Sequence, residues 1–445
     1  MKKIFLLLAA LTVALSSQAA LKGDVNGDGE VSIADVTMLV DLVLNDNSSD
    51  NSDVNADGET GIADVTALVG IILSQGEEEI AGRVVGGDIS LLPTYEEHQA
   101  AQLRAWSSSP TGYYTMTGQR IDDVITYVKE QGWTAARVRL FVNPANASAE
   151  DVGQGVRQSL EYITPLCARI KAAGLRLMLD FHYSDSWADP VKQYTPAEWV
   201  GLNDYQLTNK IYEYTKGCLE TLVAAGGAPD YIQTGNEISY GMLWGKRGGT
   251  LFKCQMGDDA NWPRFISLLK SAGKACREVC PKAKIILHNE RVAKPEMLYN
   301  FYTKLSGVDY DIIGLSYYPY YHGLLTNLDN VLTRLETVYL GKRIMIVETG
   351  YAHQYAISGD YSTQAQAVWP VSQAGQKKFV TDLIATLHKH EAVDGIFWWF
   401  PEANEYGLDW TNFRVNDAWY NGNLWSHETG RATQALYELK NFLND

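Results

Sequence analysis

The sequence predicts an α/β protein: a (β/α)8 TIM barrel that follows a small all-α domain with EF-hand-like loops. Two observations support this fold class. From residue 83 onwards, eight short apolar runs alternate with longer amphipathic segments, which is the pattern of a parallel barrel with helical crossovers. Before that point, an aspartate-rich stretch repeats itself after 29 residues. A doubly wound open sheet is the alternative to the barrel, but no glycine-rich phosphate loop follows the first apolar run.

Residues 1–20 have the layout of a secretory signal peptide. Two lysines precede an apolar run from Ile4 to Leu15, and the small residues Ala19 and Ala20 follow. We therefore expect export to the periplasm, the cell surface or the extracellular medium. No later segment offers the roughly 18 consecutive apolar residues that a membrane span needs.

Residues 21–74 contain the repeat. "DVNGDGEVSIAD" begins at residue 24 and "DVNADGETGIAD" at residue 53. Each places oxygen-bearing side chains at positions 1, 3, 5 and 12 and a glycine at position 6, as a calcium loop of EF-hand type requires. The predicted calcium ligands are Asp24, Asn26, Asp28, Glu30, Ser32 and Asp35 in the first loop and Asp53, Asn55, Asp57, Glu59 and Asp64 in the second.

An apolar helical stretch follows each loop, "VTMLVDLVL" and then "VTALVGIIL". These two loop–helix repeats resemble dockerin modules, and the resemblance implies calcium binding and docking onto a partner protein. A spacer or stabilising role is the alternative. Residues 75–82 are predicted to be a linker. Residues 21–80 hold 14 acidic side chains against one basic one, so most of the net charge of −16 lies there. Nothing indicates nucleic-acid binding.

Residues 83–445 are predicted to form the barrel domain. The predicted strands are residues 84–90, 135–142, 175–183, 231–238, 283–290, 311–318, 343–350 and 395–401. Polar side chains fall at the C-terminal ends of these runs, which is the edge of a barrel where active sites form. Glu237 ends the fourth run and Glu348 the seventh, so both carboxylates can approach one bond across the barrel mouth. Glycoside hydrolysis needs such a pair.

The motifs "GGDIS", "RVRLFVNP", "LDFHYSDSWADP", "GNEI", "GMLW", "GLSYYPYY", "VETGY" and "FWWFP" stand in this order along the chain. Together they resemble the endo-β-1,4-galactanases of glycoside hydrolase family 53. The resemblance implies that Glu237 is the acid/base and Glu348 the nucleophile of a retaining mechanism, and that the substrate is the β-1,4-galactan side chain of pectic arabinogalactan. No cofactor is expected for the chemistry.

The same resemblance assigns further residues to substrate binding. Asn236 would bond the sugar 2-hydroxyl, and Tyr317 together with either Arg137 or Arg139 would hold Glu348 ionised. Asp88 and His182 would complete the floor. Independently of the resemblance, sugar rings offer apolar C–H faces, so the predicted stacking platforms are Trp187, Trp244 and Trp399.

Two departures from the family pattern stand out. Phe400 replaces the usual glutamate in the eighth-strand motif, and residues 245–262 form a longer loop than expected. The alternatives are a related retaining barrel glycosidase acting on mannan, xylan or glucan, and a glycan-binding protein without catalysis.

Overall fold

The computed structural model describes residues 23–49, 51–55, 58–74, 82–255, 259–416 and 420–444. The chain divides into two compact units between residues 81 and 82. The predicted signal peptide, nearly all of the predicted linker and the predicted ligand Asp57 lie outside the described residues.

The N-terminal unit contains two helices, α1 (Ile33–Leu44) and α2 (Ile62–Ser74), each directly after one of the repeated loops. Ser32 caps the N-terminus of α1, and its hydroxyl accepts a hydrogen bond from the backbone of Ala34. Leu39 and Leu68 are fully buried in a small apolar core between the helices. The predicted loop–helix repeat is therefore confirmed for the described residues.

The larger unit is a closed barrel of eight parallel strands. The barrel strands are β1 (Val84–Asp88), β4 (Ala135–Leu140), β5 (Arg176–Phe181), β6 (Tyr231–Thr234), β7 (Lys284–Asn289), β8 (Ile312–Tyr317), β9 (Arg343–Thr349) and β10 (Val393–Trp398). Around the barrel they stand in the order β1-β10-β9-β8-β7-β6-β5-β4, and β4 closes it by pairing with β1. All eight predicted strands are present, and each ends before its predicted C-terminal boundary. The polar residues that follow them belong to the loops at the C-terminal ends of the strands.

Helices surround the barrel and bury the outer faces of the strands. They are α3 (Leu92–Ala105), α4 (Val124–Glu130), α5 (Ala149–Gly153), α6 (Leu160–Ala172), α7 (Asp204–Ala224), α8 (Trp262–Val279), α9 (Pro295–Lys304), α10 (Pro319–His322), α11 (Leu325–Val338), α12 (Ser362–Val368), α13 (Gln373–Leu387) and α14 (Gln434–Glu438). A two-stranded ribbon of β2 (Tyr113–Tyr114) and β3 (Arg120–Ile121) was not predicted. In the described part of the chain, no helix has the length and apolarity needed to cross a membrane.

Candidate active site

A cleft of about 750 Å³ opens at the C-terminal ends of the barrel strands. It is lined by Trp187, Ala188, Asp189, Pro190, Val191, Asn236, Glu237, Glu290, Arg291, Ala293, Lys294, Tyr318, Tyr321, His322, Glu348, Gly359, Asp360, Tyr361 and Trp399. Both predicted catalytic glutamates, Asn236 and two of the predicted tryptophans therefore share one cavity. This is the face of a barrel where active sites form.

Glu237 lies on a strained turn directly after β6. Its φ angle is +47°, and that of Gly235 is +108°. A non-glycine residue in this region costs about 1–3 kcal/mol and persists where the surroundings over-determine it. Here the backbone N–H of Glu237 donates to Nδ1 of His288 at 3.2 Å, and its Oε1 accepts a hydrogen bond from Ser316 Oγ at 2.7 Å. The turn thereby aims the carboxyl group into the cleft.

The environment of Glu237 favours its protonated form. Burial raises the pKa of this carboxyl well above its usual value, and repulsion from Glu348 and Glu290 raises it further. The Ser316 hydroxyl opposes this shift by donating to the ionised form. A protonated carboxyl at neutral pH is what a general acid requires.

Glu348, at the end of β9, has a cation beside it. Its Oε1 lies 2.8 Å from Nη2 of Arg137, and the Tyr318 hydroxyl donates to its Oε2 at 3.3 Å. Burial raises the pKa of Glu348, and the Arg137 charge opposes that rise. Because Glu237 receives a neutral hydroxyl in place of a cation, Glu348 is the first of the two to ionise. The pair is thus suited to one protonated and one ionised state.

Arg137 connects the barrel floor to Glu348. Its guanidinium is fully buried and donates to Asp88 and Asp180, each at 2.8 Å. It also donates to Oδ1 of Asn236 at 2.9 Å. The sequence left open whether Arg137 or Arg139 supports Glu348, and the structure shows that Arg137 lies beside it.

Arg139 lies below the aromatic wall of the cleft. Its guanidinium forms an ion pair with Asp88 at 2.8 Å. It also lies 4.6 Å from the ring centroids of Trp399 and Phe400 and 5.0 Å from that of Trp187, within the range of cation–π attraction. Phe400, the departure from the family pattern, therefore contributes an aromatic contact to a buried arginine.

Asp88 and His182 support the cleft from below rather than lining it. Asp88 bridges the two arginines. His182 accepts a hydrogen bond from the backbone of Ala188 through Nδ1 at 3.0 Å, and its Nε2 faces Asp180 at 3.1 Å. Burial lowers the pKa of His182, so its ring is neutral and holds residue 188 at the cleft wall.

Two sequence predictions are wrong. The Tyr317 hydroxyl donates to the carbonyl of Gly323 and its ring stacks on Phe379, so it does not touch Glu348. The following residue, Tyr318, makes that contact. Trp244 has no exposed surface, and its indole N–H donates to the carbonyl of Tyr240. A ring with both faces buried offers no sugar platform.

Sequence reasoning also missed several polar residues of the site. These are Asp180, Gln233, Glu290, Arg291, His288, Ser316, Tyr318, Tyr321, His322 and Tyr361. A signal existed for those inside strands, since a charged or hydroxyl side chain such as Asp180 or Ser316 interrupts an otherwise apolar run. The residues of the loops after β7 and β8 carried no comparable signal.

Comparison with known families identifies the larger unit. The model of glycosyl hydrolase family 53 matches residues 84–439. The chain belongs to this family. Because the family consists of glycoside hydrolases and the two glutamates share a cleft, the protein is a glycoside hydrolase. Residues 22–73 match the model of the dockerin type I domain.

Curated relatives and solved structures agree with this assignment. An endo-beta-1,4-galactanase of Bacillus subtilis is 30% identical over 67% of this chain and 67% of its own length. An arabinogalactan endo-beta-1,4-galactanase of Cellvibrio japonicus is 30% identical over 77% of this chain and 85% of its own. The family 53 catalytic domain of Ignisphaera aggregans superposes with a TM-score of 0.67 at 30% identity, over 82% of this chain and 97% of that one.

The loops of the dockerin module fold their carboxylates inwards. In the first loop, Asp24 accepts hydrogen bonds from the backbone of Gly27 and Gly29. Asp35, at position 12, accepts from Val25 and Ser32, and Asp64 has the corresponding place in the second loop. The donor set consists of oxygens, which fits calcium. Within the described residues, to which Asp57 does not belong, no three acidic side chains gather closely enough to hold a metal.

Proposed function

We propose that this protein is an exported, retaining endo-β-1,4-galactanase that cleaves the β-1,4-galactan side chains of pectic arabinogalactan. One observation carries the proposal: Glu237 and Glu348 face the same cleft, in environments that make Glu348 the first of the two to ionise and keep Glu237 protonated to higher pH. The proposed substrate is supported by bacterial and fungal relatives that are named as galactanases. The signal-like layout of residues 1–20 supports the proposal of export.

The mechanism uses the two glutamates in turn. Glu237 donates its proton to the glycosidic oxygen while the Glu348 carboxylate attacks the anomeric carbon, so the sugar–oxygen bond breaks as a covalent glycosyl–enzyme ester forms. Glu237, now ionised, then takes a proton from water. The resulting hydroxide equivalent attacks the anomeric carbon, releases Glu348 and retains the configuration.

Asn236 and Trp399 position the sugar in this scheme. One N–H of the Asn236 amide donates to the carbonyl of Ala188 at 2.8 Å, which leaves the second N–H to donate to the sugar 2-hydroxyl. Trp399 and Trp187 lie against each other with ring centroids 6.0 Å apart and line the cleft. Their apolar faces suit the C–H face of a pyranose ring.

The dockerin module is proposed to bind calcium through its two loops and to dock onto a partner protein. When bound, calcium neutralises the loop carboxylates and ties the loop to the helix that follows. The predicted ligands are those named from the sequence, with position 12 supplied by Asp35 and Asp64. The alternative role for the module is that of a stabilising spacer.

The first experiment measures release of reducing ends from linear β-1,4-galactan by the wild type, Glu348→Ala and Glu237→Gln. We expect the wild type to release short oligosaccharides and Glu348→Ala to lose activity by at least about 10³-fold, because the attacking group is gone. Azide should restore turnover to Glu348→Ala by replacing the nucleophile.

A panel of β-1,4-linked mannan, xylan and glucan tests the alternative substrates. Hydrolysis of one of these in preference to galactan would replace the galactanase proposal by the related glycosidase. Binding of galactan without turnover in the wild type would favour a non-catalytic glycan-binding protein instead.

A further inference from the structure

Two buried polar residues on neighbouring strands hold one side of the Glu237 carboxyl group. Ser316 Oγ, on β8, lies 2.7 Å from Glu237 Oε1. His288 Nε2, on β7, lies 2.8 Å from Ser316 Oγ. Both side chains are inaccessible to water. Buried polar groups are costly unless they are paired, so the direction of each hydrogen bond in this chain can be worked out.

The backbone of Glu237 fixes the hydrogen position on His288. The Glu237 N–H points at Nδ1 of the imidazole, with 3.2 Å between the nitrogens. Since a backbone N–H can only donate, Nδ1 is an acceptor. Burial, and then the charge of Arg137, lower the pKa of His288 well below its usual value, so the ring is neutral. A neutral imidazole carries one hydrogen, which is therefore on Nε2.

The remaining directions follow. The Nε2–H of His288 donates to Ser316 Oγ, and the hydroxyl hydrogen of Ser316 is left to donate to Glu237 Oε1. Oε1 is thus an acceptor in both protonation states of the carboxyl. Among the described residues, Oε2 of Glu237 has no hydrogen-bond partner, and the residue lines the cleft.

We propose that Ser316 and His288 are positioning residues that keep the acid proton of Glu237 on Oε2, the oxygen that faces the cleft. The proton is then presented directly to the glycosidic oxygen. As the Oε2–H bond breaks and the proton joins the leaving oxygen, the negative charge left on Glu237 is stabilised by the Ser316 hydroxyl. This inference rests on the proposed acid/base role of Glu237.

The strained backbone at Glu237 also belongs to this hydrogen-bonded arrangement. The positive φ of Glu237 sets the position of its side chain relative to its own N–H, and that N–H donates to His288. Glu237 therefore fixes the direction of the hydrogen bonds that run from His288 through Ser316 to its own carboxyl group. Asn236 Oδ1 lies 3.1 Å from the same Nδ1. Because this amide oxygen already accepts a hydrogen bond from Arg137, it does not require a hydrogen on Nδ1 of His288.

The test is Ser316→Ala, assayed on β-1,4-galactan across pH. Loss of the donor makes the ionised carboxyl less stable, so the pKa of Glu237 rises and the alkaline limb of kcat/KM moves up by about one pH unit. The value of kcat/KM at its optimum falls by roughly tenfold, because the proton is no longer confined to Oε2. Ser316→Cys, with a weaker S–H donor, gives intermediate values.

A substrate that needs no acid separates positioning from a loss of structure. With a 2,4-dinitrophenyl β-galactobioside, whose leaving group departs without protonation, Ser316→Ala keeps the wild-type kcat/KM for aryl release. A merely structural role would lower turnover of both substrates. Thr215→Val is the matched control: its hydroxyl is equally buried and bonds Tyr183 and the carbonyl of Ile211 on the outer side of the barrel.

Glu237→Gln, run beside these variants, keeps the two proposals apart. If Glu237→Gln loses galactan hydrolysis but Ser316→Ala matches the wild type on both substrates and across pH, the positioning role is overturned and the acid/base role stands. If Glu237→Gln hydrolyses galactan at the wild-type rate, the acid/base role itself is wrong.

Discussion

Arg137 organises the charges of the site. Its buried guanidinium meets Asp88, Asp180 and Glu348, each at 2.8 Å. A buried cation without partners would be strongly destabilising, and the carboxylates without the cation would repel one another, so the cluster is stable only as a set. One consequence is functional: the carboxylate that shares this cation ionises first, and Glu237, which faces a hydroxyl, stays protonated to higher pH.

At the residue scale, strand alternation explains which predictions succeeded. Ser316 and Tyr318 are two residues apart and both face the carboxylates, whereas Tyr317 faces the surrounding helices. Alternation alone shows that Ser316 and Tyr318 lie on one face of the strand "LSYY" and Tyr317 on the other. It does not show which of the two faces points into the barrel. The same rule placed Arg137 and Arg139 on one face, and only the contacts distinguish their partners.

Trp399 and Trp244 were both predicted to be sugar platforms, and a pair of variants tests the difference that the structure shows between them. Trp399 lines the cleft, and Trp244 is fully enclosed. We expect Trp399→Ala to lower kcat/KM on galactan by at least about tenfold through loss of a stacking face. Trp244→Phe should leave kcat and KM unchanged while lowering the midpoint of thermal unfolding. Equal changes in KM for both variants would contradict the assignment of Trp399 as the platform.

At the scale of elements, the apolar runs predicted the existence of every barrel strand but not its end. The backbone leaves the sheet where side chains begin to serve the cleft, as at β6, which ends at Thr234 before the turn that carries Glu237. The apolar pattern continues to Ile238, so it predicts a longer strand than the structure contains. The ribbon of β2 and β3 has two residues in each strand, too few for a periodic signal.

The loop after β10 is attached to the start of α3 by a buried carboxyl group. Glu402 is fully buried, and its Oε1 accepts a hydrogen bond from the backbone N–H of Leu91 at 2.9 Å. Burial, with added repulsion from Asp88, raises the pKa of Glu402 to about 8. The loop is therefore held by a protonated carboxyl at neutral pH.

This shift predicts a pH-dependent contribution to stability. Between the unfolded pKa of 4.5 and the folded value of about 8, the unfolded chain releases its proton while the folded chain retains it. The contribution is thus fully present below pH 4.5 and is lost as the pH rises through 8. Glu402→Gln, which stays neutral, should match the wild type at pH 4.5 and exceed its free energy of unfolding at pH 8 by about 4 kcal/mol.

Urea unfolding at the two pH values measures the difference. All 12 tryptophans lie beyond residue 105, so their fluorescence reports on the barrel alone. Glu97→Gln removes an exposed carboxylate from α3 and serves as the control, with no change expected between the two pH values. A stability difference for Glu402→Gln that is the same at pH 4.5 and pH 8 would contradict the raised pKa.

At the scale of the whole molecule, the two units differ in charge and in composition. The module and linker carry most of the acidic excess, and residues 21–82 contain no aromatic side chain. The repeat spacing and the ordered motifs made both units predictable from the sequence, because each is encoded by local patterns. The pairing of Glu348 with Arg137, and of Glu237 with Ser316, depends on barrel register and could not be read from local pattern.

The composition of the units makes calcium removal a clean test of the module. If calcium holds the two loops, EDTA should lower the helical far-UV circular dichroism and the melting temperature of the module, because the loop carboxylates would repel one another without the cation. Tryptophan fluorescence melting and the turnover of galactan should not change, since the barrel is a separate compact unit. Isothermal titration of the full chain should then find two calcium ions.

Paired variants connect that result to the loops. Asp24→Asn together with Asp53→Asn removes the first carboxylate of each loop. The double variant should show no heat of calcium binding in the titration, and its hydrolysis of galactan should be unchanged. Asp41→Asn, an exposed acidic residue on α1 outside the loops, should titrate as the wild type does. Two ions bound by the double variant would place calcium elsewhere in the chain. A parallel loss of activity in EDTA would show that the barrel itself depends on a metal.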